Sequence, residues 1–148
     1  MDFSKGFNVQ LATLFGIGKI PGGGTWASLI VLIIALYEQN AETASFLAFL
    51  SLIVGPNAYR KLIALFDSED PKEYVLDEVI GMGIAISGVY IFTRIFEQFS
   101  FNFIESISAV GELFILTFVL FRFFDISKIG PVGWVESNRQ EKAYLRVV

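Results

Sequence analysis

The chain contains no cysteine and no histidine. The first absence removes disulfides, cysteine-ligated zinc and a thiol nucleophile. The second removes imidazole acid–base chemistry and the commonest metal ligand. Charge is scarce too: Asp, Glu, Lys and Arg make up 18% of the 148 residues, where about 25% is usual. The net charge of −4 gives nucleic acid no electrostatic footing, so no nucleic-acid partner is expected. The N-terminus lacks a basic start running into an apolar core and a small-residue cleavage site, so no secretory signal is expected there.

Apolar residues fill the space that these absences leave. The chain is 54% hydrophobic and 16% aromatic, with 16 phenylalanines. Its mean hydropathy is +0.61. Such a composition predicts an integral membrane protein, and the length fits one domain over residues 1–148.

Residues 3–20 carry Phe7, Val9, Leu11, Leu14 and Phe15, a pattern for a short amphipathic helix. Residues 16–25 hold five glycines and Pro21, which predicts irregular structure, with Thr25 as the N-cap of the next helix. Four apolar runs follow, at 26–37, 44–54, 79–96 and 113–121. Gly55-Pro56 is expected to interrupt the second run, with helix resuming over 57–66. The third run carries Gly81, Gly83, Ser87 and Gly88, small residues that let helix backbones approach inside a membrane. The expectation is an all-α fold: a small helical bundle with about four apolar, membrane-spanning helices. Because a span needs about 20 apolar residues and these runs are shorter, a soluble bundle with a greasy core is the competing reading.

Charge placement favours the membrane. Ten of the eleven basic residues fall in three segments: Lys5 and Lys19; Arg60, Lys61 and Lys72; and Arg122, Lys128, Arg139, Lys142 and Arg146. The two remaining links, 38–43 and 97–108, have no base and carry Glu38, Glu42, Glu97 and Glu105. Four spans place the three basic segments on one side, which the positive-inside rule makes cytoplasmic. Arg94 is the exception, expected to snorkel to its nearer interface.

The same count gathers the unusual motifs on that side. The glycine-rich loop precedes the first apolar helix, Asp70, Asp77 and Glu78 precede the third, and Arg122, Asp125 and Lys128 follow the fourth. Their chemistry is complementary. Backbone N–H groups of Gly18, Gly22, Gly23 and Gly24 suit phosphate oxygens, and Lys19 and Thr25 add a charge and a hydroxyl. Asp70, Asp77, Glu78 and Asp125 offer the hard oxygen ligands that Mg²⁺ prefers. Arg122 and Lys128 suit a transferring phosphoryl group, whose charge must be stabilised. With Asp77 and Glu78, they and Asp125 form the candidate catalytic set. Each cluster alone has a plainer reading, as a turn, a capped helix start or an interfacial anchor; their shared side favours a site.

Three stretches then resemble phosphatidylglycerophosphatase A. They are Gly16-Ile17-Gly18 with Pro21-Gly22-Gly23-Gly24-Thr25-Trp26-Ala27-Ser28-Leu29; Asp70-Pro71 with Val75-Leu76-Asp77-Glu78-Val79-Ile80-Gly81-Met82; and Phe121-Arg122-Phe123-Phe124-Asp125-Ile126-Ser127-Lys128 with Pro131-Val132 and Trp134. The resemblance implies a helical protein of the bacterial inner membrane. It would remove the phosphate from phosphatidylglycerophosphate with Mg²⁺, with its motif-bearing loops and both termini facing the cytoplasm. Thr25, Asp70, Asp77, Glu78, Arg122, Asp125 and Lys128 carry over as the site.

The sequence departs from the family pattern at its end. Lys128-Ile129-Gly130-Pro131 stands where the family has a Lys-Pro-Trp-Pro-like run. Residues 135–148 carry Glu136 but no aspartate pair, so the family's last helix is expected to be missing. That loss leaves an alternative: a catalytically degenerate membrane protein that binds anionic lipid or serves as a subunit. It also leaves an apolar face uncovered, which favours a homo-oligomer; membrane lipids are expected partners in any case.

Overall fold

The computed structural model describes residues 3–66, 71–98 and 107–127. These form α1 (Phe3–Ala12), a 3₁₀ turn (Ile17–Lys19), α2 (Gly23–Glu38), α3 (Glu42–Phe66), α4 (Leu76–Gln98) and α5 (Ile107–Ser127). No strand occurs among the described residues. The chain divides into two compact units, Met1–Phe118 and Val119–Val148, with the boundary inside α5.

Within the first unit, α3 and α4 make the most extensive helix–helix contact. The inner face of α3 explains why. Ala44, Ala48, Ser51, Gly55, Ala58 and Leu62 are all buried, at alternating spacings of four and three. Its small side chains, Ala44 and Ala48, let α4 come close. A Cβ on Gly83 would stand 2.6 Å from the Ala44 carbonyl oxygen and 2.8 Å from the Ala48 Cβ. Ser45 and Ser87 share a hydrogen bond of 2.7 Å across the same contact. Gly83 and Ser87 thus serve the close approach that their sequence spacing predicts, while a Cβ on Gly88 would meet open space.

Several large apolar residues point the other way. Phe46 and Phe49 on α3 are 61% and 62% exposed, and Ile53 on α3 and Ile84, Ile91 and Phe92 on α4 are exposed as well. Large apolar side chains exposed on the outer faces of α3 and α4 suit a lipid solvent. Among the described residues, two helical segments, Glu42–Ala64 and Leu76–Ile95, are long and apolar enough to cross a membrane. The 16-residue α2 is apolar but rises only about 24 Å, short of a full bilayer core. These are features of a membrane-associated chain.

Three local expectations are corrected. Pro56 does not interrupt α3, which runs unbroken through it. Proline deletes one backbone donor and strains the preceding turn, but buried Gly55, Ala58 and Leu62 hold the helix on both sides. Gly23 and Gly24 are helical, and Thr25 is not the N-cap: Gly22 takes that position in the left-handed region, at φ 75°. Finally, α4 begins at Leu76, so Asp77 and Glu78 lie inside its first turn.

Candidate functional site

The site begins where α1 ends. Buried Thr13 accepts a hydrogen bond at its Oγ1 from the Gly16 N–H at 3.1 Å. Leu14, Phe15 and Gly16 then follow one another in the left-handed region, at φ 46°, 55° and 101°. This reverses the chain into the 3₁₀ turn. The Gly18 N–H donates to the Thr13 carbonyl at 2.8 Å and the Lys19 N–H to that of Gly16 at 3.0 Å. Those two amides are therefore committed to the turn, and at Gly18 and Lys19 only the lysine side chain is left for an anion. The first-turn N–H groups of α2, from Gly23, Gly24 and Thr25, have no intrahelical acceptor, and Gly22 brings no capping side chain.

The acidic segment packs directly on this turn. The Val75 N–H donates to the Ala12 carbonyl at 3.1 Å, fixing the strand-like approach to α4 against the end of α1. A Cβ on Gly18 would fall on the Glu73 carbonyl oxygen, and one on Gly23 would stand 2.8 Å from the Gly18 Cα. A Cβ on Gly24 would fall on the Glu78 carboxylate. Gly18 and Gly23 are thus required by close packing against backbone, whereas Gly16 and Gly22 are required by their positive φ.

Glu78 is held at this contact. The buried Ser28 hydroxyl lies 2.9 Å from the Gly24 carbonyl and 3.4 Å from Glu78 Oε2, and can donate to either. The Glu78 N–H donates to Asp77 Oδ1 at 3.0 Å, a carboxylate serving the open first turn of α4. Asp77 is exposed and Glu78 half-buried. Ser28 was not among the expected site residues. Its signal was a hydroxyl four residues after Gly24 at the head of a long apolar run.

Tyr74 borders the acids. Its hydroxyl sits where a Gly55 Cβ would come within 2.7 Å, and its ring meets Tyr59 edge-on at 5.1 Å between centroids. Burial, then the charge of Asp77, then Tyr59 push its pKa up to about 12.

The first two motifs therefore share one rim of the first unit. Of the third motif, Arg122 and Asp125 belong to the second unit, where Arg122 Nη1 pairs with Asp125 Oδ2 at 2.9 Å, one turn apart. Asp70 and Lys128 lie outside the described residues. Among the described residues no three carboxylates gather as a ready-made metal cage. The donor set nevertheless fits Mg²⁺, which typically takes one or two carboxylates and fills its other positions with water and phosphate. Glu78 also lies beside α2's first turn, where a phosphate would bring further negative charge that a cation would offset.

Compared with known families, the sequence matches phosphatidylglycerophosphatase A over residues 10–145. No curated protein and no solved structure matches it.

Proposed function

The chain belongs to the phosphatidylglycerophosphatase A family, and from that premise we propose that it hydrolyses phosphatidylglycerophosphate to phosphatidylglycerol and inorganic phosphate. Membership supports a phosphatase-type hydrolase of phospholipid metabolism. The observation that carries the finer reading is the packing of the Glu78 carboxylate against Gly24, which brings the acidic motif to the open end of α2.

In this proposal the terminal phosphate binds the first-turn N–H groups of Gly23, Gly24 and Thr25, with Lys19 adding positive charge. Asp77 and Glu78 hold Mg²⁺, and Ser28 keeps Glu78 turned toward the phosphate. When bound, the ion offsets phosphoryl charge and makes water more acidic. Water adds across the phosphorus–oxygen bond, and the leaving glycerol oxygen takes up a proton. Asp70, Arg122, Asp125 and Lys128 are assigned on sequence alone: Asp70 and Asp125 to the metal, Arg122 and Lys128 to phosphoryl charge. The basic residues Lys19, Arg60, Lys61 and Lys72 support a site at the cytoplasmic face of the bacterial inner membrane.

Phosphate release from phosphatidylglycerophosphate in mixed micelles, with Mg²⁺ and with EDTA, tests the proposal. Release that needs Mg²⁺ and falls at least about a hundredfold in Asp77→Asn is expected. No release by the unaltered protein, or undiminished release by Asp77→Asn, rejects it. Binding of the anionic lipid that persists in EDTA without turnover selects the degenerate alternative.

A further inference from the structure

The first unit also holds a partly open apolar cavity of about 440 Å³. Ile17, Ala27, Leu76 and Val79 form part of its wall. Each is one residue away in sequence from Gly18, Ser28, Asp77 or Glu78. From Ala27 the wall follows α2 to Ile34, seven residues and about 10 Å along the helix. Leu47 and Leu50 of α3 also line it, and Ser51 supplies the one hydroxyl among the lining side chains.

We propose that this cavity seats part of one acyl chain of the lipid whose phosphate binds at the rim. The inference rests on the lipid-phosphatase reading and adds that the protein grips the substrate's tail as well as its headgroup. Three observations carry it. The lining is apolar, so the space suits hydrocarbon rather than water. The volume lies within the range of small-molecule pockets, about 300–1,000 Å³. The cavity is also built on the same segments as the rim, because Ile17, Ala27, Leu76 and Val79 each adjoin a rim residue in sequence. The left-handed Leu14 and Phe15 add a fourth point. Two bulky residues hold a conformation that side chains rarely adopt, and both line this cavity.

Leu47→Trp and Ile34→Trp fill the cavity from α3 and α2. Each is expected to lower the ratio of kcat/KM for the dioleoyl substrate to that for its dibutyryl analogue by about tenfold. Phe46→Trp, on the outer face of α3, leaves the ratio unchanged. An unchanged ratio in both filling variants overturns the inference. A second readout needs no turnover. Phosphatidylglycerophosphate with a diazirine on one acyl chain is expected to label Leu47 and Leu50 in the unaltered protein, whereas phosphatidylcholine with the same chain does not. Equal labelling by both lipids, or labelling confined to Phe46 and Phe49, overturns the inference. Selective labelling without phosphate release upholds it and rejects the phosphatase reading instead.

Discussion

The carboxylate of Glu78 occupies the space that a side chain on Gly24 would need: a Cβ there would stand 3.0 Å from the Glu78 carboxyl carbon and closer still to one of its oxygens. Two residues 54 positions apart are thus fitted to one another at the start of α2.

Gly24→Ala therefore displaces the Glu78 carboxylate, which is the far end of a flexible side chain and can move. Activity is expected to fall about tenfold or more, with thermal stability little changed. Gly18→Ala behaves differently, because its Cβ meets the backbone carbonyl of Glu73. It should cost about 1–3 kcal/mol of stability by overpacking. Denaturant melts of the two variants beside their phosphate-release rates check the contrast.

Ser28→Ala removes the hydroxyl that reaches Glu78 Oε2. A hydrogen bond to a charged group contributes about 1.5 kcal/mol or more, so a loss of about tenfold in kcat/KM is expected. Because Ser28 orients a proposed metal ligand, the Mg²⁺ concentration for half-maximal rate should rise as well. A rate loss with an unaltered Mg²⁺ profile refutes that positioning role.

Tyr74 ties stability to alkaline pH. Its pKa is pushed from 10.0 up to about 12, by burial first and then by Asp77 and Tyr59. Below pH 10 the phenol keeps its proton in both folded and unfolded chains, and its contribution is complete. Between 10 and 12 the unfolded chain sheds the proton while the folded chain holds it, so stability falls as pH rises. Tyr74→Phe should flatten that fall, and ultraviolet titration of tyrosinate should lose its highest-pH step.

Gly83 and Gly88 lie five residues apart on α4 and should respond in opposite ways. Gly83→Ala drives a methyl into the backbone of α3 and is expected to cost about 2 kcal/mol. Gly88→Ala meets nothing within 4 Å and should be neutral or stabilising by up to about 1 kcal/mol. Unfolding of both variants in a detergent–denaturant series measures the difference.

The sequence by itself determined the helical class, the order of the apolar segments and the place of Asp77 and Glu78 at a helix start. These are local properties: hydrophobic runs, glycine and proline punctuation, and acids next to an apolar stretch. Tertiary structure decided the rest. It carried α3 through Pro56, because packing at Gly55 and Ala58 outweighs one missing donor. It put Gly23 and Gly24 inside α2 and turned the Gly18 and Lys19 amides inward, because the acidic segment presses on that turn. It also added Ser28 to Glu78 and formed the apolar cavity between α2 and α3. Contacts between residues some fifty positions apart leave no periodic trace along a chain, so only the folded molecule records them.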